Sequence, residues 1–201
     1  TTPVKIYDES VTIYGLYNTE WLLNNIKMVI DNNDTLHVIW GAFDSSFGCN
    51  GNNTEIYYIN NSGGSWSIPT KITNNSTSSL YPDLAVSGNK LHLVWREHDG
   101  CKYGGADYNK LMYATKENGT WINHGVISSY PSVQNNYFEN PQIAVTKNGN
   151  VHVVLSGHMS KNIYHLIKSN TWSSLKTIPV ASTTDKVYFD NIIIGNHDND
   201  L

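Results

Sequence analysis

Charge is scarce in this chain. Only 15% of its 201 residues are Asp, Glu, Lys or Arg, and the formal net charge is −4. Of thirteen basic residues, Arg96 alone is arginine. No basic patch can be assembled from so few cations, which argues against nucleic acid as a partner. No run of 18 apolar residues occurs, so the sequence offers no membrane span. Two cysteines, Cys49 and Cys101, are too few to fix the redox compartment. The opening Thr-Thr-Pro is not a signal peptide, although a processed chain would look the same. Helical periodicity is also missing: one turn at 20–25 is all the pattern allows. The repeated histidines described below do not form a metal-ligand pattern, and no cofactor is expected.

What is present is a unit of about 55 residues, repeated three times and begun a fourth. The copies read Leu36-His-Val-Ile-Trp40, Leu91-His-Leu-Val-Trp95 and Val151-His-Val-Val-Leu155. Each follows an apolar stretch (26–30, 82–86, 141–145) and leads to a Tyr-bearing segment and a small-residue turn with Trp66, Trp121 or Trp172. His37 to His92 is 55 residues and His92 to His152 is 60; Trp66 to Trp121 is 55 and Trp121 to Trp172 is 51. Repeats of this length built from short strands indicate an all-β propeller or a related array.

Within a unit, 26–30, 84–86 and 143–145 predict a first strand, joined by Asn- and Gly-rich turns to a second strand around His-x-Val-Trp. A long connection reaches a third strand, Ile56-Tyr-Tyr58 and its equivalents, and a tight Trp turn leads to a fourth, such as 67–73. A histidine recurring at one position of every unit is explained by the repeat itself. His37, His92 and His152 are therefore expected to be structural, hydrogen-bonded to a neighbouring blade.

Taken as a set, Pro-x-Ile-Ala-Val, Gly-Asn-x-His-Val-Val-Trp, Ile-Tyr-Tyr and Gly-x-Trp resemble the BNR-repeat, sialidase-like β-propellers over nearly the whole chain from about residue 24. The family's Asp-box turn survives only in degenerate form, as Asn61-Ser-Gly-Gly-Ser-Trp66, Glu117-Asn-Gly-Thr-Trp121 and Ser169-Asn-Thr-Trp172. The resemblance implies four-stranded antiparallel blades at about 24–73, 80–128 and 139–180, with a partial copy at 189–201. Residues 3–7 resemble an orphan outer strand and 189–194 an orphan inner strand. The expectation is a piece of a longer propeller; the alternative is a chain whose open edges pair with another chain in dimers, rings or filaments.

In the resembled family the ligand face lies opposite the Trp turns. That selects the connections 41–55, 96–110 and 156–162, with 74–81, 128–140 and 181–190. Long loops on a rigid scaffold commonly carry function. Candidate binding residues there are Asp44, Phe47, Asp99, Tyr103, Tyr108 and Tyr137. Cys49 and Cys101 fall in equivalent loops of adjacent blades, and a disulfide between them would contribute roughly 3–4 kcal/mol. The densest chemical cluster is Arg96, Glu97 and His98 at the start of the second long loop, with His158 at the matching place in the third unit. They are candidates for acid–base work, against the plainer reading of a polar loop; no catalytic residue is assigned.

Sialidase chemistry, as the resemblance implies it, needs three arginines on the substrate carboxylate, and this chain has one. The expectation is a non-catalytic extracellular or cell-surface module that binds a glycan or a surface protein, or self-assembles; the alternative is part of a glycoside hydrolase or polysaccharide lyase. Six Asn-x-Ser/Thr sequons, at Asn33, Asn52, Asn60, Asn74, Asn75 and Asn118, fit an extracellular glycoprotein.

Overall fold

The computed structural model describes residues 26–44, 53–98, 110–129, 138–157 and 162–178. They form twelve strands in three antiparallel sheets of four, each sheet following chain order, as in the blades of a β-propeller. The first holds β1 (Lys27–Ile30), β2 (Leu36–Asp44), β3 (Asn53–Asn60) and β4 (Thr70–Lys71). The second holds β5 (Ser78–Ser87), β6 (Lys90–His98), β7 (Lys110–Glu117) and β8 (Thr120–Ser129). The third holds β9 (Phe138–Val145), β10 (Val151–Gly157), β11 (Ile163–Lys168) and β12 (Lys176–Ile178). The orphan strands expected at 3–7 and 189–194 lie outside the described residues.

Turn chemistry closes the hairpins. Asn118 and Gly119 both take positive φ (49° and 83°) between β7 and β8, the pairing that a two-residue hairpin with right-handed strand twist demands. Gly88 does the same alone between β5 and β6, with φ 62°.

Packing follows the period of two along each strand. In β6, Leu91, Leu93 and Trp95 join Ile39, Ile56 and Tyr58 in a buried cluster between the first two sheets. Val94 points the opposite way, into a second cluster with Tyr113, Ile143, Val153 and Leu155. The second sheet is thus covered on both faces. The second and third Trp turns clamp the preceding blade: Trp121 meets the Tyr58 ring edge-on at 5.4 Å, and Trp172 meets Tyr113 likewise at 5.1 Å. Such aromatic pairs add roughly 0.5–1.5 kcal/mol each beyond their burial. The repeated Tyr and Trp are the staples between blades.

Three equivalent first-strand positions meet where the sheets converge. Lys27 Nζ lies 3.3 Å from Asp83 Oδ1 and 3.5 Å from Gln142 Oε1, and Asp83 Oδ2 accepts the Ile143 N–H at 2.8 Å.

Two expectations are corrected. The histidines bond within their own sheet, not to a neighbour: His37 Nδ1 to Tyr58 Oη (2.8 Å), His92 Nδ1 to Tyr113 Oη (2.7 Å) and His152 Nδ1 to His165 Nε2 (3.0 Å). Strands also run further than the sequence pattern marked. The second strands end at Asp44 and His98, so the connections expected to start at 41 and 96 start later, and Arg96, Glu97 and His98 are strand residues. The first strands begin at Ser78 and Phe138, ahead of Pro82 and Pro141. A register shift absorbs each proline, with Tyr81 (φ 53°) and Asn140 (φ 46°) turned left-handed just before it.

Candidate functional site

The ends of β3, β6 and β7 that carry the long connections gather the chain's most constrained polar groups. Alternation splits the Arg96-Glu97-His98 cluster. Glu97 shares the face of Trp95, toward the first sheet, while Arg96 turns toward the third. Both are buried, at 7% and 4% exposure, which overturns the plain reading of a polar loop.

Glu97 is held at both oxygens. Its Oε2 accepts the Trp95 indole N–H at 2.9 Å, and its Oε1 meets the Thr77 hydroxyl. Thr77 is itself fixed, since its N–H donates to Asn75 Oδ1 at 3.0 Å, while its hydroxyl, 2.9 Å from the same oxygen, gives its one proton to Glu97. The same turn holds a second carboxyl: the Asn75 N–H donates to Glu55 Oε1 at 3.1 Å. Glu55 is wholly buried, its Oε2 has no hydrogen-bond partner, and Lys71 Nζ is 3.9 Å from Oε1. Burial pushes the Glu55 carboxyl above its ordinary range, and the charge of Glu97 adds to the rise against the pull of Thr73, Asn75 and Lys71.

A cleft of about 260 Å³ opens beside Glu97, lined also by Asn75, Thr77, Trp95, Lys110, Met112, Asn123 and Val126. Glu97 therefore lines the cleft directly, while Glu55 lies behind the Asn75–Thr77 turn. On the other face, the Arg96 guanidinium lies over the Tyr81 ring, 5.7 Å from its centre. Burial raises the Tyr81 phenol, with Arg96 opposing the rise.

Of the residues singled out from sequence, Glu97 lines the cleft, Arg96 packs away from it and His98 ends β6. Asp44 ends β2. Phe47, Cys49, Asn52, Asp99, Cys101, Tyr103, Tyr108, Tyr137 and His158 lie outside the described residues. Among the sequons, Asn33, Asn74 and Asn118 are exposed, whereas Asn60 and Asn75 are half-buried. Sequence reasoning missed Glu55, Thr77 and Lys110 and read Asn75 only as a sequon. One signal was available: Glu55 and Lys110 occupy the same position, immediately ahead of Ile56 and Leu111 near the start of the third strand of successive units. Among the described residues no cluster of three or more His, Cys, Asp or Glu can hold a metal, and no helix is long and apolar enough to cross a membrane.

No protein-family model matches the chain, and no curated protein matches it in sequence. Its structure is similar to several solved ones. Against the α-L-arabinofuranosidase of Fusarium graminearum, solved with an iminosugar inhibitor, the TM-score is 0.58 at 11% identity over 81% of this chain and 50% of that one. Against a polysaccharide lyase the TM-score is 0.58 at 11% identity, over 76% and 40%. Against an arabinanase of Bacillus subtilis it is 0.53 at 16% identity, over 78% and 56%. The chain thus spans about half, or less, of the length of these structures. At such identities the likeness shows the fold, a β-propeller, and no more.

Proposed function

We propose that this chain is a carbohydrate-binding β-propeller module of a secreted or cell-surface protein, related to the BNR-repeat propellers and acting by binding rather than bond cleavage. The observation that carries this reading is the cleft beside Glu97. A carboxylate there is locked by Trp95 and Thr77 before any ligand arrives, and Asn75, Asn123 and Lys110 stand around it. Carboxylate and amide groups of this kind read sugar hydroxyls, and pre-orienting them lowers the entropic cost of binding. Tyr103 and Tyr108 belong to the connection leaving β6, where aromatic rings are suited to stack on sugar faces. Glycans at the exposed sequons and a Cys49–Cys101 disulfide belong to the same reading.

A second reading, part of a glycoside hydrolase or polysaccharide lyase, is favoured by one observation: two buried carboxyls, Glu55 and Glu97, are bridged by one turn, and burial, with a smaller contribution from Glu97, raises the first. The structures named above are enzymes of these classes. With Arg96 as its one arginine, the chain cannot build a three-arginine carboxylate clamp.

The test is affinity electrophoresis against soluble arabinan, ulvan and sialylated glycans, paired with assays for reducing ends and unsaturated products. Retardation on at least one polysaccharide without product release is expected, weakened at least tenfold by Glu97→Gln at an unchanged unfolding midpoint. Product release lost in Glu97→Gln would establish the second reading instead. No retardation and no product on any polysaccharide would remove both.

A further inference from the structure

At the opposite end of the sheets, where the short hairpin turns lie, a cavity of about 510 Å³ opens between the first and second blades. Its walls come from the 31–35 turn, the end of β3, the Gly88 turn and the Asn118–Gly119 turn. None of these segments belongs to the loop face argued above.

The charged groups in the walls are hydrogen-bonded or ion-paired, with one exception. Asp31 Oδ1 accepts the N–H groups of Asn33 (2.8 Å) and Thr35 (2.9 Å), and its Oδ2 lies 3.2 Å from His37 Nε2. A carboxylate only accepts, so His37 carries its proton on Nε2 and receives the Tyr58 hydroxyl on Nδ1. Burial opposes it, yet these donors hold the Asp31 carboxyl below its ordinary range. Burial also lowers His37, which keeps the ring neutral. Lys90 Nζ and Glu117 Oε1 form an ion pair at 2.6 Å.

Lys116 remains. Its ammonium lies 5.1 Å from the centre of the Tyr58 ring, and no carboxylate of the described residues is within ion-pair distance of it. Burial pushes this lysine below its usual range, against the pull of the Asp31 charge. Around it the lining is amide and hydroxyl: Asn60, Asn89, Asn118 and Ser62. Such groups offer both donors and acceptors, in the pattern that vicinal hydroxyls satisfy.

We propose that this inter-blade cavity is a binding site for a small polyhydroxylated anion, a sugar acid or sulfated sugar, whose charge is met by Lys116. The carboxylate or sulfate sits against the Lys116 ammonium above Tyr58, and the ring hydroxyls reach the asparagine amides. Asn33, Asn60 and Asn118 are sequons on this lining, so a glycan there would obstruct the mouth. The site is therefore tested on protein made in a bacterial host that attaches none.

The experiment is calorimetric titration with methyl glucuronide, glucose 6-sulfate and uncharged methyl glucoside, repeated on Lys116→Met and Lys116→Arg. Chemical-shift mapping of the His37 ring runs alongside. Saturable binding of at least one anionic sugar is expected, at least tenfold tighter than methyl glucoside. It should be lost by tenfold or more in Lys116→Met and retained in Lys116→Arg, with the His37 ring shifts following the binding in each. The two anions tell a carboxylate from a sulfate source. Equal affinity for charged and uncharged sugars, unchanged binding in a folded Lys116→Met, or no saturation with either anion would overturn the proposal. Binding with the His37 ring unperturbed would place the ligand elsewhere and overturn it too.

Discussion

His92 shows how much one side chain does here. It is 4% exposed, its Nδ1 is engaged by Tyr113, and its Nε2 has no hydrogen-bond partner. Burial, helped by nearby Lys90, pushes its pKa from 6.5 to about 4. A depressed value means that the folded state favours the neutral ring. Its contribution is complete above pH 6.5 and disappears as pH falls through about 4. The span corresponds to about 3 kcal/mol of stability, lost in that window. Burial lowers His37, His124 and His165 as well, so their losses run in the same direction. Urea midpoints for wild type and His92→Gln at pH 7, 5.5 and 4.5 check this. The wild type should weaken steadily with acid and the variant distinctly less; parallel slopes would refute the assignment. The structural nature of these histidines was legible because the repeat gives His37, His92 and His152 the same position in the second strand of each blade. Their partners were not, because a period of two tells which face a residue takes, not which cross-strand atom it meets.

At the scale of the element, the informative feature is the first strand of each blade. Lys27, Asp83 and Gln142 look unrelated in sequence, yet all follow the same repeat position and meet where the sheets converge. Asp83 is 6% exposed and serves two blades at once, through Lys27 Nζ and the Ile143 N–H. Asp83→Ala would leave a half-buried ammonium and a buried N–H without their acceptor, at a cost of about 3 kcal/mol. Asp83→Asn keeps an acceptor for Ile143 and should cost less than half as much. Denaturation of the two variants at pH 7 measures the difference, and equal losses would mean that the Ile143 bond contributes nothing. The same elements explain why loop limits were misread. Arg96, Glu97 and His98 have loop-like polarity, but β6 lies in a blade covered on both faces, so the strand continues through them. Pro82 and Pro141 looked like strand starts because proline cannot donate to a ladder; a register shift lets each strand pass through.

At the scale of the molecule, the blades are unequally covered. Both faces of the second sheet are buried, whereas the first presents a row of apolar side chains along β1 and the residue before it: Ile26 at 57% exposure, Met28 at 62% and Ile30 at 52%. Alternate residues on one strand make this a continuous stripe, on a sheet whose other face packs against the second blade. Contiguous apolar surface of this kind favours association. The three four-stranded sheets of the described residues were legible from the recurring His and Trp. The imbalance was not, because 26–30 reads like any other first strand until its neighbours are known. The 22.5 kDa chain is expected to show a native mass that rises with concentration in light scattering. Met28→Glu with Ile30→Lys should return it toward a single chain without lowering the unfolding midpoint, since neither side chain is part of a buried cluster. A native mass of one chain at every concentration would mean that the stripe does not self-associate. A variant that assembles as the wild type does would place the contact elsewhere. Assembly lost on changing these two residues would make the face of the first blade the surface through which copies of this chain meet.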